Sequence, residues 1–214
     1  MACYVRPMRQ EDIVQVTEID HEAFPTQWPP TNYHHELKNS LAHYIVACDA
    51  KKLADEPKME AASEKSRPGL IFKVRQLFNR NRSFNNEVLP PAKERIVGLA
   101  GLWMMAGEAH ITNIAVRLAY QRRGIGEQLL ISLIDLAKEL NARILTLEVR
   151  ASNVAAQSLY SKYGFAGVGL RRGYYTDNRE DAILMSTEEI TSASFQARFQ
   201  QLKQSHSRRW ETPH

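Results

Sequence analysis

A chain of 214 residues is long enough for one domain with a sizeable core and room left for appendages. Hydrophobic residues make up 43% and charged residues 24%, both ordinary for a soluble globular protein, and no apolar run approaches the roughly 20 residues that span a bilayer. The net charge of +4 is unevenly spread: residues 51–95 hold 11 Lys/Arg against 6 Asp/Glu, leaving 17 basic and 18 acidic residues elsewhere, so the body of the chain is not expected to bind nucleic acid.

Ala2 to Arg6 reads as a short apolar strand, and Ile13, Val16, Ile19 and Ala23 recur at helical spacing within Arg9 to Phe24. Pro25, Pro29 and Pro30 end that helix, and Thr31 is placed to cap a short second one reaching about Leu41. His43 to Cys48 is the next strand. Residues 51 to about 92 form a basic insertion, in which Leu70, Ile71, Val74, Leu77 and Phe78 would line one face of a short helix between linker-like stretches. Arg95 to Met104 and Ala109 to Val116 pair as strands. A long amphipathic helix then runs from Gly124 to about Leu140 on Leu129, Leu130, Leu133, Ile134 and Ala137, with Asn141 as its C-terminal cap.

Ile144 to Val149 is a fifth strand, after which Ser152 or Asn153 caps a helix that Gly164 ends. Phe165 to Leu170 and Ala182 to Met185 close the sheet as an antiparallel pair around a Tyr174-Tyr175 loop. Ile190, Phe195, Phe199 and Leu202 share one face if the residues after Ser186 are helical, whereas Ser205 to His214 looks frayed and polar. Cys3 and Cys48 lie in apolar stretches without metal-ligand spacing, so buried reduced thiols are expected and a metal is not. With no charged-then-apolar N-terminal signal pattern, the expected location is cytoplasmic.

Gln121-Arg122-Arg123-Gly124-Ile125-Gly126 falls between a β-branched strand and the long helix. A strand-to-helix turn of this kind leaves backbone N–H groups unpaired at the positive end of the helix dipole, a cradle for phosphate. Leu147-Glu148-Val149-Arg150-Ala151-Ser152-Asn153 and Ala155 to Phe165 follow at close range. Together with Ala23-Phe24-Pro25, Trp28-Pro29, Asn113 to Val116, Arg171 to Tyr175 and Asp181 to Met185, they resemble the Gcn5-related N-acetyltransferases, and among these the bacterial ribosomal-protein alanine N-acetyltransferases. The resemblance covers about 140 residues, 2–49 and 95–186.

It implies a mixed α+β fold, with a mostly antiparallel sheet of six to seven strands and helices on both faces. Residues 1–186 would form a single N-acetyltransferase domain interrupted at about 51–92, and 187–214 a helical extension with a polar tail beyond the point where relatives usually stop. It also implies acetyl-CoA as co-substrate. Ile114, Ala115 and Val116 would offer main-chain groups to the pantetheine arm, Gln121, Arg122, Arg123, Gly124, Ile125, Gly126 and Glu127 would hold the pyrophosphate, and Asn153 would bond the donor or cap its own helix. Glu148 would be the general base and Tyr160 the general acid; the structural alternatives are an exposed edge residue or a partner for Arg150, and a core aromatic. Tyr174, Tyr175, Phe24 and Trp28 would border the acceptor, or pack the sheet edge and the first helix.

The implied acceptor is a protein or peptide N-terminus of the ribosomal-protein alanine type, reached by direct transfer in a ternary complex. Lysine or small-molecule amine acetylation by the same fold is one alternative, and a non-catalytic acyl-CoA-binding or ribosome-tethering module is another. The basic insertion is a candidate contact for ribosomal RNA or an acidic membrane, no specific DNA binding is expected, and the oligomeric state is left open.

Overall fold

The computed structural model describes residues 3–26, 30–53 and 94–211; Trp28 and the expected Leu70–Phe78 helix lie outside the described residues. Seven strands, β1 (Cys3–Pro7), β2 (Ala42–Leu53), β3 (Glu94–Met105), β4 (Glu108–Val116), β5 (Ile144–Arg150), β6 (Phe165–Tyr175) and β7 (Glu180–Thr187), form one sheet. Their order is β1-β2-β3-β4-β5-β7-β6. Every neighbouring pair is antiparallel except β4 and β5. The fold is thus the mixed, mostly antiparallel α+β architecture that the sequence implies.

Helices lie on both faces: α1 (Ile13–Ala23) and the short α2 (Tyr33–Glu36) on one, α3 (Ile125–Glu139) and α5 (Ala193–Glu211) on the other, with α4 (Val154–Lys162) between β5 and β6 in the chain. Side chains alternate across a strand, and β2 shows the consequence. Val46 and Cys48 join the α1-side core with Val16, Ile19 and Tyr33, while Ile45 and Ala47 join the α3-side core with Leu129, Leu133 and Phe199. A strand buried on both faces must be apolar throughout, hence the unbroken run from Ile96 to Leu102 in β3. Free Cys48 is fully buried and Cys3 partly so.

Three expectations need correcting. The α2 helix is a single turn capped by Asn32, whose side chain accepts from the His35 amide, and not a helix from Thr31 to Leu41. Its early end follows from Asn39, whose side chain accepts from the Leu41 amide and turns the chain into β2. Tyr174 and Tyr175 are the end of β6 and not a loop; the turn falls at residues 176–179, where the Asn178 side chain accepts from the Glu180 amide. Ser205 to Glu211 is helical, because His206 is buried and Trp210 packs against the α3-side core. Buried Phe195 and Phe199 anchor this extension, each contributing on the order of 2–3 kcal/mol of apolar burial. Asn141, expected to cap α3, stands just past it with φ of 60°.

Candidate functional site

The pairing of β4 with β5 runs from Glu108↔Ile144 to Ile111↔Leu147 and stops, although β4 continues to Val116 and β5 to Arg150. A register shift on the β3 side, between Leu102↔Ile111 and Gly101↔Asn113, leaves Thr112 as an extra residue that bends β4 away from β5. Beyond it, Asn113 to Val116 stay paired with β3 and, among the described residues, have no strand partner on the β5 side. Ile114, Ala115 and Val116 therefore border a wedge whose open strand edge can take an extended ligand in the manner of an added strand.

At the mouth of the wedge the Gln121 side chain donates to the Val116 carbonyl at 3.2 Å. Arg122 (φ 61°) and Gly124 (φ 83°) adopt left-handed backbone, which turns the chain into α3. The Arg123 guanidinium lies 5.2 Å from the Tyr120 ring centre. The first helical amides, at Ile125, Gly126 and Glu127, have no preceding turn to bond. Gly124 is required by its backbone angle, but Gly126 is not: a Cβ there would meet only Val116 Cγ2 at 3.8 Å. The fold leaves that space open in front of unpaired amides, which fits the phosphate of a nucleotide donor.

Inside the wedge the Glu148 side chain is only 7% exposed. One oxygen lies 3.0 Å from His110 Nε2 and the other 2.9 Å from an Arg171 guanidinium nitrogen. On the other side of the ring, His110 Nδ1 lies 3.0 Å from the Thr146 hydroxyl oxygen. Arg150 is not the partner of Glu148; it binds Asp177 and Glu180 and covers the Tyr175 ring at 3.9 Å.

Tyr160 on α4 packs against Phe165, ring centres 5.8 Å apart, and its phenol makes no hydrogen bond among the described residues. Burial, with the Tyr175 phenol adding to it, pushes the Tyr160 pKa up to about 12. Burial likewise raises Tyr175 to about 12, against the pull of Arg150 and with a further push from Tyr174 and Glu148. Tyr175 thus feels both Glu148 and Tyr160, while Arg171 pairs with Glu148 and lies 5.5 Å from the Tyr174 ring centre. Glu148, Tyr160, Tyr174 and Tyr175 form one neighbourhood. Asn153 caps α4, accepting from the Ala156 amide at 3.1 Å. Phe24 packs on the α1-side core.

Two parts of this arrangement were not singled out from sequence. His110 stands opposite Thr146, two residues before Glu148, a juxtaposition set by the β4–β5 register. Thr26, just after α1, donates to Asp177 at 2.6 Å, tying the α1–α2 connection to the β6–β7 turn. Among the described residues no group of three or more His, Cys, Asp or Glu is placed to hold a metal ion, and no helix is long and apolar enough to cross a membrane.

Comparison with known proteins agrees with this geometry. A Bacillus subtilis protein provisionally named a ribosomal protein bS18-alanine N-acetyltransferase is 36% identical over 182 residues, 85% of this chain and 92% of the relative. An N-alpha-acetyltransferase of Sulfurisphaera tokodaii is 40% identical over 183 residues, 85% of this chain and 90% of that one. The crystal structure of the ribosomal-protein-S18-alanine N-acetyltransferase from Escherichia coli superposes with a TM-score of 0.62 and 26% identity, covering 90% of this chain and 96% of its own. The profile of the Acetyltransferase (GNAT) family matches residues 59–165, which take in the turn at 121–127, Glu148 and Tyr160. With its wedge, its turn and relatives matched along most of their length, the chain belongs to the GNAT acetyltransferase family.

Proposed function

We propose that the chain acetylates the N-terminal α-amine of a protein, with acetyl-CoA as donor and a ribosomal protein as the acceptor class. The observation that carries this is the buried Glu148 carboxylate, held by His110 and Arg171 where β4 and β5 diverge. An amine must lose a proton before it attacks, and a fixed carboxylate beside the acceptor is a base for it. The relatives named as alanine N-acetyltransferase and N-alpha-acetyltransferase support the α-amine. So does the chemistry: with pKa values near 8 and 10.4, neutralising a lysine at pH 7 costs about 3 kcal/mol more than neutralising an α-amine.

Bound acetyl-CoA supplies an activated thioester. The turn at residues 121–127 takes its diphosphate on backbone amides, and the free edge of Ile114–Val116 receives the pantetheine arm. Glu148 accepts the proton of the acceptor ammonium, directly or through water, so that the amine can form the C–N bond. As the C–S bond breaks, Tyr160 gives its proton to the leaving sulfur; the phenol, ordinarily protonated at neutral pH, is held the more firmly so by burial. Both substrates are bound together, and transfer is direct. Tyr174 and Tyr175, with Phe24, border the acceptor's first residues, and Asn153 contacts the donor while capping α4. Residues 1–186 make up the catalytic domain, with the insertion and the C-terminal helix added to it.

Turnover of acetyl-CoA against short peptides differing in their first two residues tests this, with polyamines and N-terminally blocked lysine peptides alongside. Peptides with a free N-terminal alanine should be preferred. Preference for the blocked lysine peptides or the polyamines would reject the α-amine assignment.

A further inference from the structure

Glu127 is the third residue of α3, and a glutamate at that position can fold back toward the cap amide at the start of its own helix. There it would occupy the donors that an anionic ligand needs, and its charge would oppose that ligand. In this structure the carboxylate is drawn away. One oxygen accepts from Lys162 Nζ at 2.6 Å and from the Tyr163 hydroxyl at 2.7 Å, and Arg209 reaches both oxygens at 2.9 and 3.0 Å. Lys162 and Tyr163 lie at the end of α4, but Arg209 comes from α5, the helix beyond the sheet.

The same part of α5 grips the turn itself. His206 Nε2 lies 3.2 Å from the Gly124 carbonyl, Trp210 Nε1 donates to His206 at 3.0 Å, and a Cβ on Gly124 would stand 3.2 Å from that indole nitrogen. One nitrogen cannot donate to Gly124 and accept from Trp210 at once, so the two contacts alternate with the tautomer. The last two turns of α5 thus meet α3 at its cap residue and at its third position.

We propose that α5 is part of the donor-binding site: Arg209, together with Lys162 and Tyr163, holds the Glu127 carboxylate off the α3 amides and balances its charge, leaving the turn open to the donor's diphosphate. This rests on the donor site proposed above. Arg209 acts through Glu127, as a positioning residue. Removing it leaves the second carboxylate oxygen, which Lys162 and Tyr163 do not reach, to turn toward the amides with its charge less balanced, and removing the carboxylate's charge as well abolishes the need for Arg209.

Calorimetric titration of CoA into the full-length protein tests the coupling. Arg209→Gln should raise the CoA Kd on the order of tenfold, the span of one charge-assisted contact, and the donor KM with it, while kcat on a saturating peptide stays. Arg209→Lys should keep most of the affinity. Adding Glu127→Gln to Arg209→Gln should restore it, which a merely structural defect would not allow, and the unfolding midpoint followed in parallel separates affinity from stability. Wild-type affinity in Arg209→Gln, or weak binding that persists in the double variant, overturns the proposal. Failure of the unaltered protein to bind CoA would instead remove the donor site, and this role with it.

Discussion

Two glutamates of nearly equal burial occupy the two ends of the wedge, and their partners set them apart. Glu148 is 7% exposed and is held by an imidazole and by Arg171, itself 53% exposed. Glu127 is 10% exposed and is fixed by Lys162, Tyr163 and Arg209. Burial alone would raise the pKa of Glu127, but Lys162, Tyr163 and Arg209 outweigh it and hold the carboxyl below its ordinary value. One carboxylate is kept from taking part; the other has a histidine and an exposed arginine that can yield to an incoming ammonium. A glutamate near a site is therefore given its task by the donors around it.

The comparison breaks most visibly at Glu148. Glu148→Gln should lower kcat by about 10²-fold or more, the usual scale for a positioned acid–base group, with acetyl-CoA affinity nearly unchanged. Tyr160→Phe should do the same, and steady-state kinetics with calorimetry on each variant checks both. Near-normal turnover in both would place the proton transfers on other groups.

At the other end the two glycines of the turn should separate. Gly126→Val should weaken CoA binding by roughly tenfold or more with little change in the unfolding midpoint, since its added branches meet open space where a phosphate would sit. Gly124→Ala should cost about 1 kcal/mol of stability, because φ is 83° and Trp210 stands against it. Thermal unfolding and calorimetry on both distinguish a turn that binds from one that only folds.

A smaller effect is expected from pH. Burial holds the His206 imidazole below its ordinary pKa of 6.5, against the pull of the Gly124 carbonyl and Glu127, while Arg209 and Lys162 add to the depression. The native state thus favours neutral His206, so its contribution is complete above pH 6.5 and is lost as pH falls from there toward the lowered value. Amide exchange in α5, compared between pH 7.5 and 5.5 after correction for intrinsic rates, should show less protection at the lower pH. Unchanged protection would mean that His206 does not couple α5 to the turn.

The smallest effect on chemistry should come from deleting residues 55–90, which ought to leave peptide turnover largely intact while abolishing a salt-sensitive association with ribosomes or anionic vesicles. Cosedimentation at low ionic strength tests the latter, which rests on the excess of Lys/Arg in residues 51–95. No association by the full-length protein would end the tethering role.

Much of this architecture could be read from the sequence because the informative signals are local. The apolar period of α3, the glycine turn before it and the β-branched run of β4 each occupy one stretch. The wedge is less legible: it depends on where β4 and β5 stop pairing, and so on the extra residue at Thr112, which no periodicity marks. His110 was invisible for the same reason, since it reaches Glu148 only through the register of two strands joined by a long crossover. The polar tail misled because His206, Arg209 and Trp210 find their partners in Gly124 and Glu127, more than 80 positions away. Composition read those residues as solvent-facing. Only the packing of α5 shows otherwise.

The lone parallel pair carries a consequence for how the enzyme comes into being. Parallel neighbours cannot be joined by a hairpin, so β4 and β5 meet only after α3 has crossed over the sheet. The proposed catalytic and donor elements flank that crossover, and the last helix must then dock before the turn is fully braced. Acetyl transfer should accordingly return late in refolding, with the slowest burial of tryptophan rather than with the earliest helical signal. Newly made chains would stay inactive until the C-terminal helix has been synthesised and has closed onto α3.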